Sequence, residues 1–210
     1  MTYSATLLPD LIKAIADTID ANAEEVTALD QAIGDGDHVI NLQRGITALL
    51  GQAEELSLLE WLEAWQKIGM TLMSTMGGAS GSLFGTLFVA MSKACNQHAL
   101  DRQGFAEIFN EAVNAVKKRG RAEAGEKTML DVLVPVADAL TAASAETDLC
   151  EVLKKLAVTA ETGVESTRDM LATKGRASFL EERSRGHIDA GAKTSQLMIS
   201  AVIDRLLKVT

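Results

Sequence analysis

Apolar residues recur at spacings of three and four along nearly the whole chain, which is the spacing of one face of an α-helix. In the first segment they are Leu7, Leu8, Leu11, Ile12, Ile15 and Ile19. A face of this kind has to be buried against other helices. No segment with the alternating pattern of a half-buried strand stands out between turn signals. The chain is therefore predicted to be all-α, without a sheet.

Turn and capping residues divide this pattern into about eight amphipathic helices. Asp101 and Asp148 are predicted to cap the fifth and seventh helices, and Ser57 with Glu60 forms a capping box that opens the third. The predicted helices cover about residues 7–28, 38–53, 57–75, 82–97, 101–120, 128–144, 148–173 and 192–208. Hydrophobic residues make up 47% of the 210 residues, and no Pro/Ser-rich linker interrupts them. Residues 1–210 are predicted to form a single antiparallel bundle.

Three aspartates, Asp30, Asp35 and Asp37, lie within eight residues of one predicted loop. Carboxylates this close repel one another unless a cation lies between them. The glycines Gly34 and Gly36 allow the loop to turn tightly and bring the three acids together. Hard oxygen ligands suit Mg²⁺ or Ca²⁺, and Mg²⁺ usually binds carboxylates together with substrate phosphates. The loop therefore predicts a Mg²⁺ site beside a nucleotide.

A calcium-binding EF-hand does not fit this loop. With Asp35 at position 1, Val39, Ile40 and Ile46 fall at positions 5, 6 and 12, where a ligand, a glycine and a glutamate are needed. A simpler alternative stays open, namely an acidic loop that caps the following helix.

Three further polar, glycine-bearing segments join predicted helices, at residues 77–81, 120–131 and 174–191. In an up-and-down bundle, alternate loops fall at the same end, so these segments and the aspartate loop are predicted to converge on one site. Each has a structural alternative. Residues 77–81 could be a helix–helix turn or a phosphate cradle. Thr128 and Asp131 could cap a helix, or Lys127 could face nucleotide. The basic segment at residues 174–191 could bind phosphate or be a solvated loop. His38 could cover the metal site or pack at a helix start.

Composition excludes several classes of function. The formal net charge is −9, and residues 1–66 alone carry −10, which is unfavourable for a nucleic-acid surface. No apolar run is long enough to span a membrane, and no signal peptide is recognisable. Cys95 and Cys150 lie within apolar helical patterns, so buried free thiols and a cytoplasmic location are expected. No nucleophilic or zinc-binding motif is present.

Four motifs occur together and in order. They are Asp30-x4-Asp35-Gly36-Asp37-His38-x2-Asn41, Gly77-Gly78-Ala79-Ser80-Gly81-x2-Phe84-Gly85, Gly125-Glu126-Lys127-Thr128-Met129-x-Asp131 and Lys174-Gly175-Arg176-Ala177-Ser178. In this combination the whole chain resembles the nucleotide-binding L subunits of dihydroxyacetone kinases of the phosphotransferase-system-dependent type. The resemblance implies a closed barrel of eight antiparallel helices with the nucleotide at one end. Gly36 and Ala190 stand where some members carry Ala and Pro, respectively.

The resemblance also implies the ligand contacts. Asp30, Asp35 and Asp37 would hold Mg²⁺, typically two ions, against the phosphates. The positions that match nucleotide contacts in the family are His38, Val39, Ile40, Asn41, Ala79, Ser80, Gly120, Met129, Arg176, Asp189, Ala190 and Gly191.

The same resemblance implies a divided enzyme. A separate K subunit would hold dihydroxyacetone, while this chain would present the nucleotide phosphate by positioning and charge neutralisation. ADP would stay bound as a coenzyme, rephosphorylated by a phosphocarrier M subunit. Three alternatives stay open: an ATP-dependent kinase subunit, a related small ketose as substrate, and an adaptor that reports nucleotide state to a regulator.

Overall fold

The computed structural model describes residues 5–209, all of whose regular structure is helical. A 3₁₀ turn, Ala5–Leu7, precedes the first helix, and a second 3₁₀ region, Arg176–Ser184, is interrupted by Glu181. The α-helices are α1 (Leu8–Ala21), α2 (Ala23–Ile33), α3 (His38–Leu50), α4 (Ala53–Ser57), α5 (Trp61–Thr75), α6 (Gly78–Ala94), α7 (Arg102–Gly120), α8 (Leu130–Thr141), α9 (Leu149–Ser166) and α10 (Ala190–Leu207). Residues 1–4 and 210 of the predicted domain lie outside this range.

Eight of these helices form a closed ring. In the order α1, α3, α5, α6, α7, α8, α9 and α10, each helix packs against the next, and α10 packs against α1. The shorter α2 contacts α3 and α10, and α4 contacts α1 and α5. The prediction of a barrel of about eight helices is therefore confirmed, with α2 and α4 as additions to the ring.

The apolar faces predicted by the helical spacing form the core. On α7, for example, Ile108, Ala112, Val113 and Val116 are buried at spacings of one, three and four. Burial of a valine or isoleucine side chain contributes about 1.5–3 kcal/mol, so the packing of these faces holds the helices together. No helix among residues 5–209 is both long and apolar enough to cross a bilayer. Within the same residues, Cys95 and Cys150 form no disulfide and are half-buried.

The first predicted helix is two helices in the structure. The break falls at Asn22, whose side-chain amide donates to the Thr18 carbonyl at 2.8 Å while its backbone N–H bonds to Ile19. A short polar side chain that bonds to the preceding turn competes with helix continuation. The second of these helices extends to Ile33, so Asp30 lies in the last turn of α2 and not in a loop.

The predicted capping box of the third helix is also wrong. Ser57 ends α4, where its hydroxyl donates to the Glu54 carbonyl, and α5 begins only at Trp61. The caps at Asp101 and Asp148 are confirmed, because each carboxylate accepts the backbone N–H three residues later, at 2.8 Å and 3.2 Å.

Two glycines set the distance between α5 and α6. A Cβ placed at Gly69 would lie 2.8 Å from the Gly85 carbonyl and 2.9 Å from the Val89 amide, and one at Gly85 would lie 2.8 Å from the Gly69 carbonyl. A backbone atom cannot shift away from a new Cβ without moving its helix, so both positions need a residue without a side chain. The two helix backbones are in direct contact here.

Gly69→Ala should therefore destabilise the protein. In an open helix this change would stabilise by about 0.5–1 kcal/mol, whereas here the overpacking should cost about 1–3 kcal/mol. Urea unfolding with an unchanged m-value would measure it. Gly51→Ala is the control, since its φ of −65° suits alanine and its new Cβ would meet nothing closer than 3.6 Å. A stabilising Gly69→Ala would contradict the close packing of α5 and α6.

Candidate metal and nucleotide site

The three aspartates come together in the structure. One carboxylate oxygen from each of Asp30, Asp35 and Asp37 can be chosen so that all lie within 4.8 Å of one another. Asp30 is half-buried at the end of α2, and the other two are exposed in the loop that leads to α3. Gly36 allows the tight turn between them with a φ of 77°, in the left-handed region that favours glycine.

Helix capping explains one of these carboxylates. The Asp30 Oδ2 atom accepts the backbone N–H of His38, the first residue of α3, at 3.1 Å. Asp37, directly before α3, makes no side-chain capping bond within residues 5–209. A cap needs a single acid, so the other two carboxylates are better explained by a cation. Three hard oxygen ligands close to one point are the donor set that Mg²⁺ or Ca²⁺ takes.

A basic side chain already faces this cluster. The guanidinium of Arg176, in the second 3₁₀ region, lies 2.8 Å from the Asp35 Oδ2 atom, and the Arg176 side chain is 66% exposed. This ion pair brings the segment between α9 and α10 to the aspartate loop, as predicted from the alternation of loops. Because Arg176 is exposed, it can leave Asp35 when another cation binds there.

His38 links three helices at the same end of the barrel. Its Nε2 atom lies 2.9 Å from the hydroxyl of Thr194 on α10, and its Nδ1 atom lies 3.2 Å from the hydroxyl of Ser80 on α6. The Thr194 hydroxyl donates its proton to the Gly191 carbonyl, so it accepts from His38 Nε2–H. Ser80 then donates to Nδ1.

This arrangement suits a neutral imidazole with its proton on Nε2. Burial lowers the pKa of His38, although Asp30, Asp37 and Asp35 oppose the effect. The ring therefore packs at the start of α3 and orients α6 and α10 around the aspartates.

The glycine-rich segment 77–81 begins α6 and does not form a separate loop. A Cβ at Gly77 would lie 2.5 Å from the amide oxygen of the buried Asn41, so α6 starts in direct contact with α3. Ala79 is exposed and Ser80 half-buried in the first turn of α6. The unpaired N–H groups of a first helical turn attract anions.

The remaining segment, residues 120–131, meets both α6 and α10. Arg119, next to Gly120 at the end of α7, donates from Nε to the Ser82 hydroxyl of α6 at 2.7 Å. Before α8, Met129 is buried and lies 3.8 Å from the position of a Cβ on Gly191. All four predicted segments therefore share one end of the barrel, as expected.

At the start of α10, Asp189 accepts the Ala192 N–H at 2.7 Å, and Ala190 is buried. Burial raises the pKa of Asp189 from 3.8 to about 6, opposed by the Ala192 hydrogen bond, and Asp131 raises this pKa further.

Within the run from His38 to Asn41, the side chains face different ways. Val39 is 3% exposed and packs in the core, so only its backbone can face a ligand, whereas Ile40 is 61% exposed. Lys127, which could have faced a nucleotide, is instead buried. The capping alternative for its segment is confirmed, because Asp131 Oδ2 accepts the Thr128 N–H at 2.7 Å.

Sequence reasoning missed Thr194 and the interior position of Lys127. Thr194 could have been found from the sequence, because it is a polar residue at a position where the helical spacing of α10 predicts burial. The burial of Lys127 has no such signal, because its three acceptors are backbone carbonyls of distant residues.

Asp189 should make the stability of the metal-free protein depend on pH. Its folded pKa of about 6 lies above the ordinary 3.8, so its contribution to stability is present below pH 3.8 and is lost as pH rises through 6. At about 1.4 kcal/mol per pKa unit this is roughly 3 kcal/mol. Asp189→Asn should remove this dependence between pH 4 and 7 in urea unfolding. Asp148→Asn, the same change at the exposed cap of α9, should keep it. Parallel curves for wild type and Asp189→Asn would refute the assignment.

Comparison with known proteins identifies the family of this chain. Residues 32–204 match the DAK2 domain family. The chain is 38% identical to the ADP-binding subunit DhaL of PEP-dependent dihydroxyacetone kinase 1 of Listeria innocua, over 97% of this chain and 98% of that protein. It is 36% identical to the ADP-binding subunit DhaL of the PEP-dependent dihydroxyacetone kinase of Escherichia coli, over 95% and 96% of the two chains.

Among solved structures, the dihydroxyacetone kinase of C. freundii in complex with AMP-PNP and Mg²⁺ has the same fold, with a TM-score of 0.76 and 23% identity. The match covers 98% of this chain and 35% of that one. By its sequence along nearly its full length, the chain belongs to the DAK2 domain family of dihydroxyacetone kinase subunits.

Proposed function

We propose that this chain is the nucleotide-binding subunit of a dihydroxyacetone kinase and binds ADP or ATP with Mg²⁺ at the aspartate end of the barrel. The observation that carries the proposal is the convergence of three carboxylate oxygens within 4.8 Å at the end where the four glycine-bearing segments meet. The two relatives that align over 96–98% of their own length are named as ADP-binding subunits of PEP-dependent kinases.

Asp30, Asp35 and Asp37 would hold the metal, with two ions proposed. Bound there, Mg²⁺ would neutralise charge on the nucleotide phosphates and so favour phosphoryl transfer. The carboxylates alone would repel phosphates, so we expect nucleotide binding to require the metal.

The surrounding helices favour an anion next to this metal. The helices α3, α6, α8 and α10 all begin at the aspartate end, and a helix N-terminus carries partial positive charge and free N–H groups. Arg176 adds a full positive charge and can donate two hydrogen bonds to a phosphate. The proposed nucleotide contacts are His38 to Asn41, Ala79, Ser80, Gly120, Met129, Arg176 and Asp189 to Gly191.

The chain itself would act by positioning. Both ring nitrogens of His38 are hydrogen-bonded to hydroxyl groups of the protein, so we assign it the role of orienting the site. The acceptor would then be supplied by a second protein, a K subunit that binds dihydroxyacetone. Because the full-length relatives are named PEP-dependent, we propose that ADP stays bound and that an M-type phosphocarrier rephosphorylates it in the cytoplasm.

Asp35→Asn should abolish the stabilisation by Mg²⁺ and ADP. Nucleotide at 100 times its Kd stabilises a protein by about 2.7 kcal/mol, which appears as a higher melting temperature. Without ligand the variant should melt close to the wild-type temperature, because the removal of one repelling charge is offset by the loss of the exposed ion pair with Arg176. Asp204→Asn, an exposed position on α10, is the control and should keep the full rise. An equal rise in Asp35→Asn and wild type would disprove the metal assignment.

Arg176→Gln should have opposite effects on metal and nucleotide. Loss of the ion pair frees Asp35, so the affinity for Mn²⁺ without nucleotide should rise by up to about fivefold, as expected for a solvent-exposed pair. The affinity for Mg²⁺–ADP should fall about tenfold, since a charge-assisted phosphate contact is lost. Isothermal titration calorimetry measures both.

Arg183→Gln, an exposed position in the same 3₁₀ region, should change neither affinity. If Arg176→Gln changed both affinities in the same direction, Arg176 would not exchange between Asp35 and phosphate.

A further inference from the structure

Lys127 is buried inside the protein without a carboxylate bonded to its ammonium group among residues 5–209. Its side chain is among the largest that are fully buried, at 1% exposure. The Nζ atom donates to three backbone carbonyls, those of Thr167 at 2.5 Å, His187 at 2.5 Å and Arg168 at 3.2 Å. An ammonium group has three protons, so all its donors are used.

The backbone of Lys127 also departs from the usual conformation. Its φ of 62° lies in the left-handed region, which costs a residue with a side chain on the order of 1 kcal/mol or more. The burial of the charge lowers the pKa of Lys127, although Asp189, Asp169 and Asp131 lie near enough to oppose the effect. An apolar side chain of similar volume would avoid the desolvation of the charge. What it could not provide is a fixed link to three separate carbonyls.

These carbonyls belong to the two ends of one long segment. Thr167 and Arg168 directly follow α9, and His187 lies three positions before the first residue of α10. Lys127 therefore holds together the two ends of the segment 168–187. Two more hydrogen bonds support the closure, from the Gly186 N–H to the Arg168 carbonyl at 2.8 Å and from the Asp189 N–H to the Thr167 hydroxyl at 3.0 Å.

The closed segment carries the residues that face the aspartates. Arg176 lies in its middle and pairs with Asp35, and its end leads directly into the Asp189–Gly191 turn that starts α10. Lys127 itself lies in the turn before α8, two residues before Met129, and Met129 lies 3.8 Å from the position of a Cβ on Gly191, a predicted nucleotide contact. One buried ammonium group therefore joins three of the structural elements that border the site.

We propose that Lys127, together with the Thr167 hydroxyl, is a positioning residue of the nucleotide site. It fixes both ends of the 168–187 segment and the start of α10, so that Arg176 and the first turn of α10 are in place before a nucleotide arrives. Lys127 makes no contact with the nucleotide in this account. The inference rests on the proposed function, since it assumes that this end of the barrel binds Mg²⁺ and nucleotide.

Lys127→Met tests this role, because it keeps the length of the side chain and removes the three donors. The two probes are Mg²⁺–ADP and Mn²⁺ alone, each titrated calorimetrically. We expect the affinity for Mg²⁺–ADP to fall at least tenfold. The affinity for Mn²⁺ should be unchanged or tighter. The aspartates lie at the end of α2 and in the loop before α3, outside the 168–187 segment, so they would lose only the competing Arg176.

The control is Leu153→Ala, a buried position in the first turns of α9, at the opposite end of that helix from Thr167. It should lower the melting temperature through a cavity and leave both affinities at their wild-type values. A purely structural role of Lys127 would make Lys127→Met behave like Leu153→Ala. That result, or Mg²⁺–ADP binding within twofold of wild type, would overturn the inference.

Thr167→Val is the second variant and decides the matter if Lys127→Met does not fold. It removes the hydroxyl that accepts the Asp189 N–H and keeps the three carbonyl bonds of Lys127. We therefore expect about threefold weaker Mg²⁺–ADP binding with unchanged Mn²⁺ binding. Wild-type affinity in Thr167→Val would also overturn the inference. Failure of the wild-type protein to bind Mg²⁺–ADP would instead refute the proposed function.

Discussion

The packing of α10 against α1 closes the helical ring, and the position of every residue in the site depends on this closure. The contact buries apolar faces of both helices, and Arg205 of α10 also pairs with Asp10 of α1. Once the ring is closed, α10 lies beside α2 and α9, so its first turn meets the aspartate loop and the 168–187 segment. If α10 did not pack against α1, the helices would form an open row. The aspartate loop and the 168–187 segment with Arg176 would then lie near opposite ends of that row.

Charge explains why this end of the barrel suits a metal and a phosphate together. Three carboxylates create a negative site that attracts a divalent cation, while four helix N-termini and Arg176 favour an anion beside it. Arg176 supplies a positive charge at Asp35, with which it forms an ion pair. The pKa of the nearby Asp189 is raised to about 6, chiefly by its burial, with Asp131 and Asp30 adding to the effect.

Much of this arrangement could be predicted from the sequence. The helical spacing of apolar residues predicts the helices, and alternation of loops in a bundle predicts that the four glycine-bearing segments share an end. The prediction failed where local polar contacts decide the outcome. Asn22 ends α1 early because its side chain bonds to the preceding turn, and Ser57 bonds backward to Glu54 instead of capping α5.

Lys127 could not be placed from the sequence for a different reason. Its partners are backbone carbonyls 40 to 60 positions away, and a carbonyl carries no residue-specific signal. A lysine in a polar turn is usually exposed, so the sequence predicts an exposed side chain at Lys127, whereas the structure buries it. The His38–Thr194 contact likewise joins residues 156 positions apart and becomes visible only when the ring is closed.

A crystal structure of the protein grown with Mg²⁺ and ADP would test the central claim most directly. We predict metal density about 2.0–2.1 Å from carboxylate oxygens of Asp30, Asp35 and Asp37, with the nucleotide phosphates on the same metal. Arg176 should have left Asp35 for a phosphate. Nucleotide bound elsewhere, or an aspartate cluster without metal and with the Arg176–Asp35 pair intact, would contradict the account.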